Sequence, residues 1–233
     1  MVMSSQAAPP PPLTPPATPL VAVESRIAAA AALAGRGADA VTLIAISKTQ
    51  DAAAIRPLLE QGHRVFGENR VQEAQGKWPA LRREFDDVSV HLVGQLQSNK
   101  ADDAVALFDC IHSVDRPSLV SALGKAMSNA GRAVPCFVQV NIGAEEQKGG
   151  CAIVDVPDLL RLAAEAGVPV AGLMCLPPQG QEPAPFFALL AKLASQHGLA
   201  ALSMGMSSDF EVAVQLGATH VRVGTALFGS RDS

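Results

Sequence analysis

The run Val41-Thr42-Leu43-Ile44-Ala45-Ile46-Ser47-Lys48-Thr49-Gln50 decides how this chain is read. Its first six residues are apolar or β-branched without a break. That is the pattern of a parallel strand covered by helices on both faces. The run then ends in Ser47-Lys48-Thr49. A lysine at the C-terminal end of a buried strand is costly unless it meets an anion, reacts, or turns out to solvent. Lys48 is therefore the first candidate for chemistry, with a rim lysine pointing outward as the bland alternative.

Working outward, the same unit recurs. The spacing predicts a helix over 20–33, strand one over 41–47 and a helix over 51–61. Strand two is expected at 64–66, followed by Gly67-Glu68-Asn69 and a helix through Leu81. Later strands are expected at 90–93, 110–113, 134–140, 169–173, 201–203 and 220–223, each followed by a helical or turn segment. Eight strand-then-helix units point to a single (β/α)8 TIM-type barrel, an α/β fold, preceded by an N-terminal helix. An open doubly wound sheet is the alternative, but no GxGxxG follows strand one and no GKS or GKT occurs. The chain's 233 residues suit one barrel. Residues 1–19 carry seven prolines and little apolar area, so they read as a disordered Pro/Ala-rich tail before a barrel domain over 20–233.

Composition narrows the function. Hydrophobic residues make up 48% of the chain and the net charge is −4, with no basic run to suggest nucleic acid. No stretch reads as a membrane span, and the tail lacks the basic start and apolar core of a signal peptide. Cys110, Cys136, Cys151 and Cys175 form no CxxC pair, and the five histidines add no metal-ligand spacing. Reduced thiols in a cytoplasmic protein without a metal are the expectation. Tyrosine is absent.

In a barrel, chemistry sits at the C-terminal ends of the strands, and a phosphate site is often built after strands seven and eight. Those loops read Met204-Gly205-Met206-Ser207-Ser208 and Gly224-Thr225. They suit an anion by backbone amides and hydroxyls, or they merely cap helices. In His220-Val221-Arg222-Val223, alternation turns Arg222 into the barrel if the two valines face the helices. A guanidinium there needs an acceptor, either a ligand or a carboxylate across the barrel. A lysine, an anion cradle and an inward arginine at one mouth suit a phosphorylated aldehyde. Pyridoxal 5'-phosphate (PLP) fits this description, and a sugar phosphate for an aldolase would use similar parts.

The segments AISKT (45–49), FGENRVQEA (66–74), HLVGQLQSNK (91–100), IHSVDR (111–116), VNIGAEEQKGG (140–150), GLMCLPP (172–178) and the run 202–231, taken in this order, resemble the pyridoxal-phosphate homeostasis proteins, relatives of the alanine racemase barrel. The resemblance covers about 43–231. It implies that Lys48 holds PLP as a Schiff base and that Arg222 lies beside the pyridine nitrogen. It further implies that Ser207, Gly224 and Thr225 hold the phosphate, with Ser203 and the backbone of Met204 to Met206 close by, and that Asn69 lines the pocket. His91 is expected to support strand three. Arg70, Gln50-Asp51 and Gly149 depart from the family's usual residues and put the rim in question. The implied function is a monomeric PLP-binding protein that buffers PLP, or delivers it to apo-enzymes as transient partners, without strong catalysis of its own. A small PLP-dependent racemase is the competing expectation. It would need a second base, and with no tyrosine present His112 is the nearest substitute.

Overall fold

A computed structural model describes residues 18–229. The expected leader therefore lies outside the described residues, apart from its last two positions. Thr18 and Pro19 belong to the folded part: the Thr18 hydroxyl accepts from Val21 N, and Pro19 opens helix α1 (Pro19–Leu33) at the position where a missing N–H is harmless.

Eight parallel strands close into one barrel in sequence order, with β8 returning to pair with β1. They are β1 (Thr42–Ile46), β2 (Val65–Glu68), β3 (Ser89–Leu92), β4 (Cys110–Val114), β5 (Cys136–Val140), β6 (Val170–Cys175), β7 (Ala201–Met206) and β8 (His220–Val223). The helices that alternate with them are α2 (Ala52–Glu60), α3 (Val71–Glu84), α4 (Ala101–Leu107), α5 (Pro117–Ala130), α6 (Val156–Glu165), α7 (Ala184–Gln196), α8 (Phe210–Gln215) and α9 (Thr225–Phe228). No described helix is long and apolar enough to cross a membrane.

The main hydrophobic cluster lies between the barrel wall and the helices. Val221 and Val223 belong to it and Phe210, Ala213 and Val214 face them from α8, as the alternation requires. Helix α1 packs on α8, where Arg26 reaches Glu211 with two bonds of 2.7 and 2.8 Å and lies 4.6 Å from the Phe210 ring centroid.

Four strands run further than their sequence suggests: β4 by one residue, β6 by two, and β2 and β7 into segments that read as loop. Gly67 and Glu68, expected in a loop, complete β2: they pair with His91 and Leu92, and Val93 N donates to Glu68 O. A buried carboxylate hides a strand end from hydropathy reading. Strand β7 continues through Met204 and Gly205 to Met206, with a register shift against β8 between Ser203 and Met206. Gly205 makes this possible. Its φ is +92°, and a Cβ there would sit 2.6 Å from Ala213 Cβ and 2.9 Å from Phe210 Cα. The strand end is thus pressed onto α8, which starts at Phe210 with Asp209 at its N-cap.

Replacing Gly205 with alanine combines a left-handed backbone penalty with an overlap against α8. The expected loss is about 2–4 kcal/mol in urea unfolding at constant slope. A loss below about 0.5 kcal/mol, the level of an ordinary surface change, would show that the β7 end is not held this tightly.

Candidate functional site

A cavity of about 840 Å³ opens at the C-terminal mouth of the barrel. Lys48 and Asn69 reach it from just beyond β1 and β2. Met206 and Ser207 come from the end of β7, Arg222 from β8, and Gly224 and Thr225 from the turn into α9. The structure thus brings together all but one of the candidate residues. Ser203 is the exception: it is fully buried beneath Arg222 and does not line the cavity. Depth explains this: Ser203 faces the barrel interior but lies three residues before the mouth end of β7.

Ser207 and Thr225 are not helix caps. Asp209 holds the N-cap position of α8 and Gly224 that of α9. Their hydroxyls are left for the cavity, apart from a 3.3 Å bond from Gly224 N to Ser207 Oγ that ties the two loops together. The Met206 amide is already engaged, since it donates to Asp209 Oδ1 at 2.6 Å. Asn69 is not a cap either, because that position falls on Arg70. Its backbone lies so close to Gly94 that a Cβ there would overlap it, which fixes the β2 loop against the β3 loop.

Lys48 is half-buried, on a turn held from below. The next residue, Thr49, has φ +64°, a left-handed conformation that costs a β-branched residue about 1–3 kcal/mol and persists only under external hold. That hold is visible. The Thr49 amide donates to Glu73 Oε1 at 2.5 Å. The Lys77 ammonium, buried on the inner face of α3, donates to Ser47 O at 2.7 Å, Gln50 O at 3.0 Å and Glu73 Oε1 at 2.9 Å. Lys77 also lies 2.9 Å from Glu68 Oε1. The same carboxylate oxygen accepts from Ser47 Oγ at 2.6 Å and Trp78 Nε1 at 3.0 Å. Two residues of α3 and one of β2 therefore clamp both ends of the turn that carries Lys48.

Arg222 donates to Ser203 Oγ at 2.5 Å and to Cys175 O at 2.9 Å. Among the described residues it forms no ion pair, so the carboxylate across the barrel is not the answer to its burial. Burial lowers it to about 10, which leaves it a cation at neutral pH. The cavity is lined by three cations, Lys48, Lys148 and Arg222, and by no carboxylate among the described residues.

Lys148 and Gln139 are lining residues that sequence reading missed. Gln139 donates to Gly149 O at 3.0 Å and accepts from Gln95 Nε2 at 2.7 Å, which fastens the loop over 143–150 to the barrel mouth. A single polar residue in the apolar strand Cys136-Phe137-Val138-Gln139-Val140 was the same signal that singled out Arg222. His112 lies inside the barrel with no exposure, and His91 is buried beside it. Neither lines the cavity. Cys136 opens β5, at the far end from the mouth.

Residues 20–232 match the family model described as the alanine racemase N-terminal domain. The pyridoxal phosphate homeostasis protein of Pseudomonas aeruginosa is 40% identical over 218 residues, covering 90% of this chain and 93% of that protein. The structure of PipY from Synechococcus elongatus with PLP bound superposes with a TM-score of 0.76 at 40% identity, covering 89% of this chain and 100% of that one. An alanine racemase of Clostridium difficile shares the fold at 12% identity and a TM-score of 0.67, this chain spanning 57% of its length.

The clamp beneath Lys48 has a measurable cost. Lys77→Met strands the buried Glu68 carboxylate and should lower stability by about 3–5 kcal/mol in urea unfolding. Lys77→Met combined with Glu68→Gln removes the buried pair's charges, keeps an acceptor for Ser47 Oγ and Trp78 Nε1, and should recover most of that loss. A double variant no more stable than the single one would show that the pair is not the source of the hold.

Proposed function

The chain belongs to the pyridoxal phosphate homeostasis proteins, within the alanine racemase N-terminal domain family, and on that premise we propose that it binds pyridoxal 5'-phosphate and acts in the homeostasis of this cofactor, with Lys48 as the amine that condenses with its aldehyde. The observation that carries the reading is the cavity's charge: a clamped lysine at a strand end shares a lining without carboxylates with Arg222, which has no ion-pair partner among the described residues, and with Lys148, which is paired with Glu145 behind the lining.

When bound, PLP supplies an aldehyde that captures amines and a ring that withdraws electrons from them. The residues present fit it part by part. Lys48 offers its Nζ on a turn that cannot relax away. Ser207 and Thr225 offer hydroxyls and the 224–225 turn offers backbone to a phosphate, at a mouth whose net positive charge favours an anion. Arg222 spends two donors on Ser203 and Cys175, and those that remain suit a pyridine nitrogen. A guanidinium cannot give up a proton there, so it keeps the ring nitrogen unprotonated and weakens electron withdrawal. Asn69 and Met206 complete the walls. Ser203 is assigned to the support of Arg222 rather than to the cofactor.

The finer reading is a holder and deliverer of cofactor rather than a catalyst. Racemisation needs acid–base groups on both faces of the substrate carbon. His112 is sealed in the barrel, with both nitrogens engaged. Lys148 is the cavity residue most able to supply a second base, but it is tied to Glu145 at 2.6 Å and to Pro177 O at 3.1 Å. Apo-enzymes that use PLP are the proposed transient partners, met by a monomer. Among the described residues the exposed large hydrophobics are Val21 and Leu33 on α1, Val154 just before α6, and Met206 at the cavity. Buried free thiols at all four cysteines suit a cytoplasmic location.

Borohydride treatment after PLP loading, followed by peptide mass mapping, is expected to put one pyridoxyl group on Lys48. Lys48→Ala should lose the label and the visible absorbance while its circular dichroism stays unchanged. A label on another lysine would remove the assignment. Incubation of loaded protein with L-amino acids in deuterated water is expected to give no α-proton exchange beyond free PLP. Rapid exchange lost in Lys148→Ala would instead make this a racemase with a two-lysine site.

A further inference from the structure

Below the cavity floor a single file of polar side chains crosses the barrel interior. It starts at Arg222 on β8, whose NH1 lies 2.5 Å from Ser203 Oγ on β7. Ser203 Oγ lies 2.8 Å from His112 Nδ1 on β4. His112 Nε2 is 3.0 Å from His91 Nδ1 on β3, and His91 Nε2 is 3.1 Å from Ser89 Oγ at the start of the same strand. Ser203 and His112 have no exposure, whereas Ser89 is half-exposed.

Chemistry gives this file a direction. A guanidinium has no lone pair to offer, so Arg222 must donate to Ser203. Ser203 has one proton. If that proton went anywhere but His112 Nδ1 it would be buried without an acceptor, at a cost of about 1–3 kcal/mol. With Nδ1 accepting, His112 carries its proton on Nε2 and donates to His91 Nδ1. His91 then carries its proton on Nε2 and donates to Ser89, whose own hydrogen is free to meet water. The opposite order strands the Ser203 proton. Both rings are neutral at ordinary pH: burial lowers His91 to about 3 and holds His112 well below the usual histidine range, with neighbouring positive charge adding to the effect on His112. A neutral ring with one donor and one acceptor is what each step requires.

We propose that Ser203, His112 and His91 form a one-way hydrogen-bond relay that stabilises the Arg222 cation by aligned dipoles in place of a counter-ion and so holds its remaining donors toward the cavity. The three are positioning residues for whatever acceptor Arg222 meets. In the cofactor reading on which this part rests, that acceptor is the pyridine nitrogen. A carboxylate at the same place would also neutralise Arg222, but it would cancel the positive charge on the cavity floor. Successive bonds in a low-dielectric interior polarise one another, so the relay does this work with neutral groups. The relay also occupies the one cluster of metal-ligand type among the described residues, His91, Cys110 and His112, whose ligand atoms lie within 4.8 Å of one another. The lone pair of His91 Nδ1 is spent on the His112 proton, and burial pushes the Cys110 thiol up.

The test uses ¹⁵N-histidine-labelled full-length protein stripped of cofactor, with long-range ¹H–¹⁵N spectra from pH 5.5 to 8 and assignment by His91→Gln and His112→Gln. His91 and His112 are both expected as the Nε2–H tautomer throughout. A proton on Nδ1 of either ring, or a titration of either in that range, overturns the relay. So does zinc retained at one equivalent through dialysis and lost in His91→Gln. Ser203→Ala should release His112 from its single tautomer, shift the absorbance maximum of bound PLP and weaken PLP binding by about tenfold. An unchanged tautomer and spectrum in that variant would also overturn it. Because the tautomers are read without cofactor, a protein that shows them yet takes up no PLP would keep the relay and lose the cofactor assignment.

Discussion

Closing eight parallel strands into a barrel removes every sheet edge and leaves one interior, cut off from water except at its two mouths. Every polar side chain on the inner face must then find its partner inside. Arg222 meets this constraint in its hardest form, as a cation held by a serine hydroxyl and a backbone carbonyl. The histidines on β3 and β4 continue what Ser203 begins. Much that is unusual about the interior, including two neutral imidazoles bonded to each other, follows from having to bury that one charge.

The protein buries a second cation by the opposite means. Lys77 lies on the outer side of the barrel wall among two carboxylates and two carbonyls. The two solutions are not interchangeable. Glu68 and Glu73 are kept behind the wall, where they hold the Lys48 turn by the Ser47 hydroxyl and the Thr49 amide, and so they do not face the cavity. Carboxylates do the mechanical work outside and neutral dipoles do it inside. The cavity therefore keeps its positive charge while both of its key cations are fixed.

This division also explains what the sequence could reveal. The unbroken run of β1, the eightfold recurrence of strand and helix, and the alternation around Arg222 were legible because each depends on the apolar period alone. The ends of β2 and β7 were not, since one carries a buried glutamate and the other a glycine bulge, and both look like loop. Lys77 was missed although it shares a helix face with Val71, Ala74, Trp78 and Leu81. A lone charge on an apolar face was the available signal; apart from Glu73 four residues earlier, its partners come from two separate segments, the 47–50 turn and β2, that no local pattern links. Gln139 carried the same signal in β5. Ser203 was gathered with the cavity residues on the family resemblance. Depth along a strand, which decides whether a residue lines a mouth or supports one from below, cannot be read from proximity in sequence.

Binding and catalysis ask different things of such a site. A binder needs fixed charge of the right sign and a nucleophile that cannot drift. A catalyst of proton transfer also needs groups that gain and lose protons on both sides of the reacting carbon. Around this cavity the groups fall almost wholly in the first class. Arg222 is a permanent donor, His91 and His112 are held neutral and out of reach, and Lys148 is engaged by a carboxylate. The clamp under Lys48 acts in the same direction, because it spends backbone strain at Thr49 to fix one amine while no comparable device aims a second. The same relay that stabilises Arg222 removes His112 from contention as a base. In the reading proposed above, this geometry serves to hold an anionic aldehyde firmly and to leave its reactivity largely unused.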